Sequence, residues 1–305
     1  MLQMGVDLGG HTLIAAAIET DAFDGTFSQI VQKIEVPTPE GRSFEAVTDE
    51  IVRLLTELSE GCSLSAGIAV PGMLDRSRLQ LLRLPNFPNW DGAPLLEVLA
   101  EKLMDRGIIP DLKMENDANC YTIGEGLAGV ARNCRDYVLF TLGTGIGGGV
   151  VVDGRLLTGF HGMAAELGHL ALFSSPSCGC GGRGHLESIA SADALEKEAL
   201  KVGFPVDFKQ LWLCREEKAI RDILAAGMDA MGRAIASVVH VLDPQMVVLG
   251  GGMSRAEGLK EQIEERTIPY LASPFKETFS IAQSVLGNEA ALFGAALLRH
   301  NRGKD

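Results

Sequence analysis

The feature that most limits how this chain can fold is a short pattern that occurs twice. Apolar strands are predicted at Gln3–Asp7 and Leu13–Glu19, and the glycine-containing turn Gly9–Thr12 joins them. The same order returns at Tyr137–Leu142 and Gly149–Asp153, around the sequence "GTGIGG". A glycine turn between two apolar segments is typical of a tight hairpin. The repetition therefore predicts a strand, glycine turn and strand near the start of each half of the chain.

Predicted strands and helices alternate along the remaining sequence, which is typical of the α/β class. The chain has 305 residues, enough for two domains of ordinary size or one large domain. Further strands are predicted at Ile30–Val36, Ser65–Val70, Leu112–Glu115 and Met246–Leu249. Helices are predicted at Ser43–Leu58, Pro94–Arg106, Glu217–Leu242, about Arg255–Arg266 and Asn288–Asn301.

Composition and charge limit the partners and the compartment that we expect for this chain. The formal net charge is −13, whereas nucleic-acid binding needs clustered Lys and Arg, so we expect no nucleic-acid partner. We expect no membrane segment, because the apolar runs fall short of the roughly 20 residues that a spanning helix needs. The N-terminus lacks the basic region of a secretory leader, which favours a cytoplasmic protein. In that compartment the six cysteines do not indicate a disulfide framework.

Three glycine-rich turns each follow a predicted strand, at Asp7–Thr12, Leu142–Gly149 and Gly250–Gly252. Glycine lets the backbone approach a phosphate closely, and the N–H groups of a turn supply positive potential. One such turn is more often only a hairpin, but three in one chain favour phosphate binding. None matches the P-loop motif, and "GTGIGG" precedes a strand rather than the helix of a dinucleotide-binding turn.

Seven segments in combination make the chain similar to the ROK family of sugar kinases, within the actin-like, ribonuclease H-like ATPases. They are "DLGG" (7–10), "PNFPNW" (85–90), "ENDAN" (115–119), "LGTGIGGGVVVDG" (142–154), "AAELGHL" (164–170), "CGCGGRGHLES" (178–188) and "VVLGGGM" (247–253). The resemblance implies a two-domain α/β ATPase fold with a cleft between duplicated domains. We assign residues 1–116 and about 288–305 to an N-terminal α/β domain. We assign residues 117–287 to a C-terminal α/β domain, which we expect to contain a zinc-binding loop and the nucleotide site.

The resemblance identifies Asp117 as the catalytic base. Asp117 follows a predicted strand, and α/β proteins bind ligands at strand ends. The alternative for this residue is that it caps the helix after it. The residues that match the family's sugar contacts are Asn86, Asn116, Asp117, Glu166, His169 and Glu187.

The phosphate-binding positions also come from the resemblance, which places Asp7 in the shell of the Mg²⁺ that accompanies ATP. The others are Gly9, Gly10, His11, Thr12, Gly143, Thr144, Gly145, Gly250, Gly251 and Gly252. The chain departs from the family at His11, where Thr is usual, and at Thr12, where Lys is common. A third departure is Ala165, in place of the usual Gly.

The segment from His169 to Ser188 contains two cysteines, two histidines and several glycines. By itself it is compatible with a metal site, a redox pair or a glycine-rich loop. Family members that carry this segment bind zinc through one His and three Cys. The matching residues here are His169, Cys178, Cys180 and His185, with His185 in place of the third Cys. Four protein ligands leave no open position on zinc, so the metal would be structural.

The resemblance implies an ATP-dependent hexose kinase, and glucose, converted to glucose 6-phosphate, is the preferred substrate. N-acetylmannosamine, N-acetylglucosamine, allose and fructose remain alternatives, as does a sugar sensor without catalytic activity. A sugar-responsive repressor of this family places a helix-turn-helix domain before the first hairpin, and we expect none here. Family members are commonly dimers or tetramers, so we expect a homodimer or homotetramer.

Overall fold

A computed structural model of the chain describes residues 2–20, 28–59, 61, 63–174 and 176–299. By their contacts the residues group into two compact units. Unit 1 comprises Met1–Asn133, Gly154–Ala164 and Asn288–Asp305, and unit 2 comprises Cys134–Asp153 and Ala165–Gly287. Unit 1 thus extends beyond residue 116, where our assignment from the sequence ends the first part of the N-terminal domain. Residues 300–305 of that assignment lie outside the described residues.

The secondary structure alternates between strands and helices, as predicted. The strands are β1 (Leu2–Leu8), β2 (Thr12–Thr20), β3 (Ser28–Pro37), β4 (Ser63–Val70), β5 (Met73–Leu74), β6 (Leu81–Arg83), β7 (Ile109–Asn116), β8 (Tyr137–Leu142), β9 (Ile146–Val152), β10 (Arg155–Leu156), β11 (Met246–Gly250) and β12 (Ile281–Gln283). The α-helices are α1 (Phe44–Leu58), α2 (Leu95–Met104), α3 (Asp117–Leu127), α4 (Glu187–Ala190), α5 (Ala192–Lys201), α6 (Phe208–Leu213), α7 (Lys218–Leu242), α8 (Leu259–Thr267), α9 (Ser273–Thr278) and α10 (Ala290–Ala296).

Unit 1 contains a five-stranded sheet in the order β3-β2-β1-β4-β7. β1 pairs with β2 antiparallel, with Val6 opposite Ala15, and with β4 in parallel, with Val6 opposite Ile68. Successive strand residues point to opposite faces of a sheet. Accordingly, Ile68 packs into a core with the apolar residues of α1, whereas Ala69 packs with Ala295 of α10. The sheet of unit 1 is therefore covered on both faces.

Helix α10 packs closely against β4 and α3 because glycines lie at the points of contact. A Cβ atom at Gly67 of β4 would overlap the carbonyl oxygen of Ala295, and one at Gly294 would overlap that of Cys120 in α3. Only glycine has no Cβ to clash here, so these two residues let the backbones pack directly against each other.

Unit 2 repeats the strand arrangement of unit 1. The second sheet has the order β10-β9-β8-β11-β12, and its strands β8, β9, β11 and β12 lie in unit 2. β8 and β9 form an antiparallel hairpin, and β11 lies parallel to β8. The core combines strand residues such as Phe140 and Leu249 with α7, whose Ile235 is fully buried. The predicted repetition of the hairpin thus extends to two whole sheets with matching strand order.

Several element ends differ from the sequence prediction. The helix expected from about Arg255 begins at Leu259, because Gly258 before it has a left-handed φ of 81°. The closing helix predicted at Asn288–Asn301 is observed as α10, Ala290–Ala296, and its last predicted residues lie outside the described part. Across the described residues, no helix combines the length and the hydropathy that a membrane crossing requires.

Candidate functional site

The first glycine turn joins β1 to β2 and is closed by hydrogen bonds. The Gly9 N–H donates to the Thr12 carbonyl at 2.9 Å, and the Thr38 hydroxyl donates to the Gly9 carbonyl at 2.7 Å. A Cβ at Gly10 would lie 3.2 Å from Cβ of Asn86, which places Asn86 directly beside the turn. The His11 side chain is exposed at the turn. Two groups of predicted site residues therefore meet here, the phosphate turn and one sugar contact.

Buried aromatic residues hold the loop that carries Asn86. Phe87 and Trp90 are almost fully buried, and their ring centroids are 4.8 Å apart. The Trp90 indole donates to the Arg42 carbonyl, and the Arg42 guanidinium in turn donates to the Asn86 carbonyl, both at 3.0 Å. A buried aromatic pair with a satisfied indole N–H gives this loop a single packed position.

Asp7 and Asp117 lie at the same edge of the sheet in unit 1. Asp7 is near the end of β1 and Asp117 directly follows β7, and the parallel strands β1, β4 and β7 end on the same side. Burial, and then the charge of Asp117, raise the pKa of Asp7 to about 7. The structure thus brings together the predicted Mg²⁺-shell residue and the predicted base.

The cap of helix α3 is Asn116 and not Asp117. The Asn116 side chain accepts a hydrogen bond from the Asn119 N–H at 3.0 Å, as an N-cap residue does. Its amide nitrogen donates to Oδ1 of Asp117 and to the Gly72 carbonyl, each at 3.0 Å. The alternative prediction, that Asp117 serves as the cap, is therefore wrong, and Asn116 instead orients the Asp117 carboxylate.

Sequence reasoning missed a buried ion pair next to Asn116 and Asp117, which consists of Glu115 and Arg78. Arg78 Nε donates to Glu115 Oε2 at 2.8 Å, and both side chains are largely buried. The turn that carries Arg78 begins at Asp75, whose carboxylate accepts the N–H groups of Ser77 and Leu79. An aspartate followed by a serine two residues later is a turn signal. This signal could have located the turn, but it does not predict that Arg78 pairs with Glu115.

In unit 2 the two remaining glycine turns touch each other. Gly143, Thr144 and Gly145 form the turn between β8 and β9, closed by a 3.0 Å hydrogen bond from the Gly143 N–H to the Gly145 carbonyl. The turn Gly250–Gly252 follows β11. A Cβ at Gly251, where φ is 81°, would overlap the Leu142 carbonyl, so this position requires glycine. The predicted nucleotide-binding glycines of unit 2 are thus adjacent.

Glu187 connects the β8–β9 turn to the cysteine-containing loop. Its Oε2 accepts the Ile146 N–H at 2.9 Å, and its Oε1 lies 3.8 Å from the Cys178 sulfur. The carboxylate predicted to contact sugar is therefore also a fixed support of the phosphate turn.

The predicted zinc ligands come together. One ligand atom from each of His169, Cys178, Cys180 and His185 lies within 4.8 Å of all the others, and Cys180 Sγ is 3.2 Å from His185 Nδ1. Ligands of tetrahedral zinc are each about 2.0–2.3 Å from the metal, which places them roughly 3.5 Å apart. The cluster and its two nitrogen and two sulfur donors therefore fit zinc. Cys178 and Cys180 are free thiols and not a disulfide.

Hydrogen bonds and burial shift the pKa values of three residues in this loop. Nδ1 of His169 is 3.3 Å from Glu166 Oε2, and this hydrogen bond raises the pKa of His169. The Gly182 N–H lowers the pKa of the Cys180 thiol, whereas burial raises that of Cys178. Because Nδ1 of His169 faces Glu166, Nε2 is the nitrogen left for a metal.

Ala165 has a left-handed φ of 66°, the conformation that the family's usual glycine adopts without strain.

Paired five-stranded sheets of matching order, with glycine turns after β1, β8 and β11, define an α/β protein of the actin-like ATPase class. The ROK family model matches residues 3–302. A glucokinase from Thermotoga maritima is 35% identical over 322 aligned positions, covering 98% of this chain and 97% of that protein. An N-acetylmannosamine kinase from Citrobacter koseri is 33% identical, covering 98% of each chain. A solved ROK glucokinase from Streptomyces griseus, in complex with glucose and AMPPNP, has a TM-score of 0.78 and 28% identity, covering 98% of this chain and 99% of that one. The chain therefore belongs to the ROK family.

Proposed function

We propose that this protein transfers the γ-phosphoryl group of ATP to a hexose, with glucose as substrate and glucose 6-phosphate and ADP as products. The observation that carries the proposal is the Asp117 carboxylate, held by Asn116 at the strand edge beside Asp7. Family membership and the glucokinases among the relatives support this reaction. An ATP-dependent reaction also agrees with the cytoplasmic localisation that the sequence predicts.

In this proposal Asp117 accepts the proton of the attacking sugar hydroxyl. The hydroxyl oxygen bonds to the γ-phosphorus as the bond to the ADP oxygen breaks, and the proton passes to the Asp117 carboxylate. An aspartate suffices as base because phosphoryl transfer has a loose transition state, in which the hydroxyl becomes acidic late. Asp7 would hold the water shell of the Mg²⁺ that accompanies ATP, since magnesium retains most of its waters.

We assign the phosphate groups to the three glycine turns and the sugar hydroxyls to polar side chains. Backbone N–H groups in such turns bind anions without contributing a charge of their own. Amide and carboxylate groups suit adjacent hydroxyls, because they donate or accept in pairs. The proposed sugar contacts are Asn86, Asn116, Asp117, Glu166, His169 and Glu187. His169 would contact the sugar through Nδ1, in exchange for its contact with Glu166. The Ile146 N–H already holds Oε2 of Glu187.

We further propose that His169, Cys178, Cys180 and His185 hold one structural Zn²⁺. When bound, zinc supplies a cross-link between the two ends of the loop and no catalytic chemistry, because four protein ligands fill its tetrahedral sites. The loop ends carry Glu166 and Glu187, so the same metal would stabilise two sugar contacts. For the whole protein we propose a homodimer or homotetramer, as is common in the family.

The choice of sugar is tested by coupled ADP release with a panel of substrates. The panel comprises glucose, fructose, allose, N-acetylglucosamine and N-acetylmannosamine, the last because of the kinase relatives of that name. We expect the highest kcat/KM with glucose. Tight binding of one sugar without any ADP release would instead establish a sugar sensor.

The role of Asp117 is tested by Asp117→Asn, which keeps the size of the side chain and removes the proton acceptor. Loss of a general base typically lowers kcat by about 10²–10⁴-fold. We expect a fall of that order with little change in sugar affinity, because the other polar residues still hold the sugar. Turnover close to that of the wild type would contradict the assignment of the base.

A further inference from the structure

Arg78 is a largely buried arginine that the proposed reaction does not use directly. Its side chain is 15% exposed. Nη1 donates to two backbone carbonyls, of Asp75 at 2.9 Å and of Gly162 at 3.0 Å. Nη2 is buried without a hydrogen-bond partner among the described residues, and the backbone φ of 59° lies in the left-handed region. Both features cost stability, so packing alone does not account for an arginine at this position.

The third contact of Arg78 supplies that reason. Its Nε donates to Oε2 of Glu115, whose side chain is only 8% exposed. Oε1 of the same carboxylate accepts the Asn116 N–H at 2.9 Å and the Asn119 side-chain amide at 3.0 Å. A buried carboxylate without a cation is costly, and the Arg78 guanidinium offsets that cost while holding the carboxylate plane in one orientation.

The contacts continue without a gap from Glu115 to the proposed base. Asn116 is held through its backbone N–H by Glu115, and its side-chain amide donates to Asp117 Oδ1. Asn119, the other partner of Glu115, donates its backbone N–H to Asn116 Oδ1. The Asn116 side chain is therefore fixed at both its oxygen and its nitrogen.

We propose that Arg78 is a positioning residue for phosphoryl transfer, which acts through Glu115 and Asn116 to fix the orientation of the Asp117 carboxylate. The inference rests on the proposed function of Asp117 as base. Displacement of a reacting group by about 1 Å can lower the rate by about 10²-fold, so a residue three hydrogen bonds away can control kcat. Arginine suits this position because its planar fork serves a carboxylate and two carbonyls at once.

The experiment is a double-mutant cycle between Arg78→Met and Asp117→Asn, measured by steady-state ADP release. Arg78→Met should lower kcat by roughly 10–100-fold, with the KM for the sugar changed much less. In the Asp117→Asn background the same substitution should lower kcat by less than about twofold, since there is no base left to position. Arg78→Lys should restore part of kcat, because it returns a cation to Glu115.

Arg76→Met is the matched control. Arg76 is exposed and lies in the same turn as Arg78. It donates to the Phe160 carbonyl at 3.3 Å, and Phe160 belongs to the 154–164 segment that Arg78 also contacts, at Gly162. It has no hydrogen bond to Glu115 among those described for its side chain. We expect Arg76→Met to leave kcat unchanged in both backgrounds.

The outcomes are distinguishable. An equal fall in kcat for Arg78→Met with and without Asp117 would overturn the inference and show a structural role only. If Asp117→Asn itself retains near-native turnover, the assignment of Asp117 as the base fails first, and the inference fails with it. Should Arg78→Met not fold, Glu115→Gln takes its place in the cycle, because it weakens the ion pair and keeps the carbonyl contacts of Arg78. Additive effects of Glu115→Gln and Asp117→Asn would then overturn the inference.

Discussion

At the scale of single residues, Asp7 connects activity and stability to pH in opposite directions. Burial and the charge of Asp117 raise its pKa from 3.8 to about 7. Below pH 7 the folded state therefore binds a proton that the unfolded chain binds only near pH 4, so this residue stabilises the fold at low pH. That stability is lost as the pH rises from about 4 to about 7, and at the upper end of this range the carboxylate forms that the proposed Mg²⁺ shell would require.

We expect the substitution Asp7→Asn to remove this pH dependence, because the amide is neutral at every pH. Relative to the variant, the metal-free wild type should lose stability as the pH rises from about 5 to about 8, by up to about 1.4 kcal/mol per unit below the folded pKa. Thermal unfolding of both proteins across this range measures the difference. Parallel Tm curves would show that Asp7 titrates in the folded state near its ordinary value.

At the scale of elements, the contact of α10 with α3 and β4 depends on the absence of side-chain atoms. Gly294→Ala should place a Cβ against the Cys120 carbonyl, a backbone atom that cannot move aside without shifting α3. Overpacking of this kind typically costs about 1–3 kcal/mol or more. We expect that loss in the free energy of unfolding measured by denaturant titration.

Gly61→Ala is the control for this prediction. Gly61 is exposed, a Cβ there has no neighbour within 4 Å, and its φ is not in the left-handed region. Its stability should therefore stay within about 0.5 kcal/mol of the wild type, as for most surface substitutions. Equal losses in the two variants would mean that the α10 packing does not require glycine.

At the scale of the whole molecule, each unit has its own sheet and core, and the Cys/His cluster belongs to unit 2 alone. If the cluster holds zinc, purified protein should contain about one zinc per chain, and Cys178→Ser should lose it. Hydrogen exchange should then speed up in residues 165–190 of unit 2, while β1, β4 and α10 of unit 1 keep their protection.

His185→Cys is the companion variant, because it restores the family's usual ligand and should retain zinc. Elemental analysis and hydrogen exchange on the three proteins check both statements. A metal-free preparation with wild-type exchange and activity would contradict the structural role of zinc. Sugar affinity should fall together with the metal in Cys178→Ser, since the loop ends at Glu166 and Glu187.

The sequence by itself determined the α/β class, the repeated hairpins and the positions of Asp7 and Asp117 at the ends of strands. Each of these depends on neighbouring residues, namely the alternation of apolar segments and the glycines that permit tight turns. The family motifs also identified the four Cys/His residues that the fold brings together.

Only the tertiary structure decided which polar groups meet across long sequence separations. Arg78 reaches Glu115, and Ile146 reaches Glu187, through loops whose paths no local pattern encodes. The choice of Asn116 rather than Asp117 as the helix cap is local, but both residue types can cap a helix. The packed positions of β7 and α3 select between them, because a buried hydrogen-bond network has room for one arrangement of donors and acceptors.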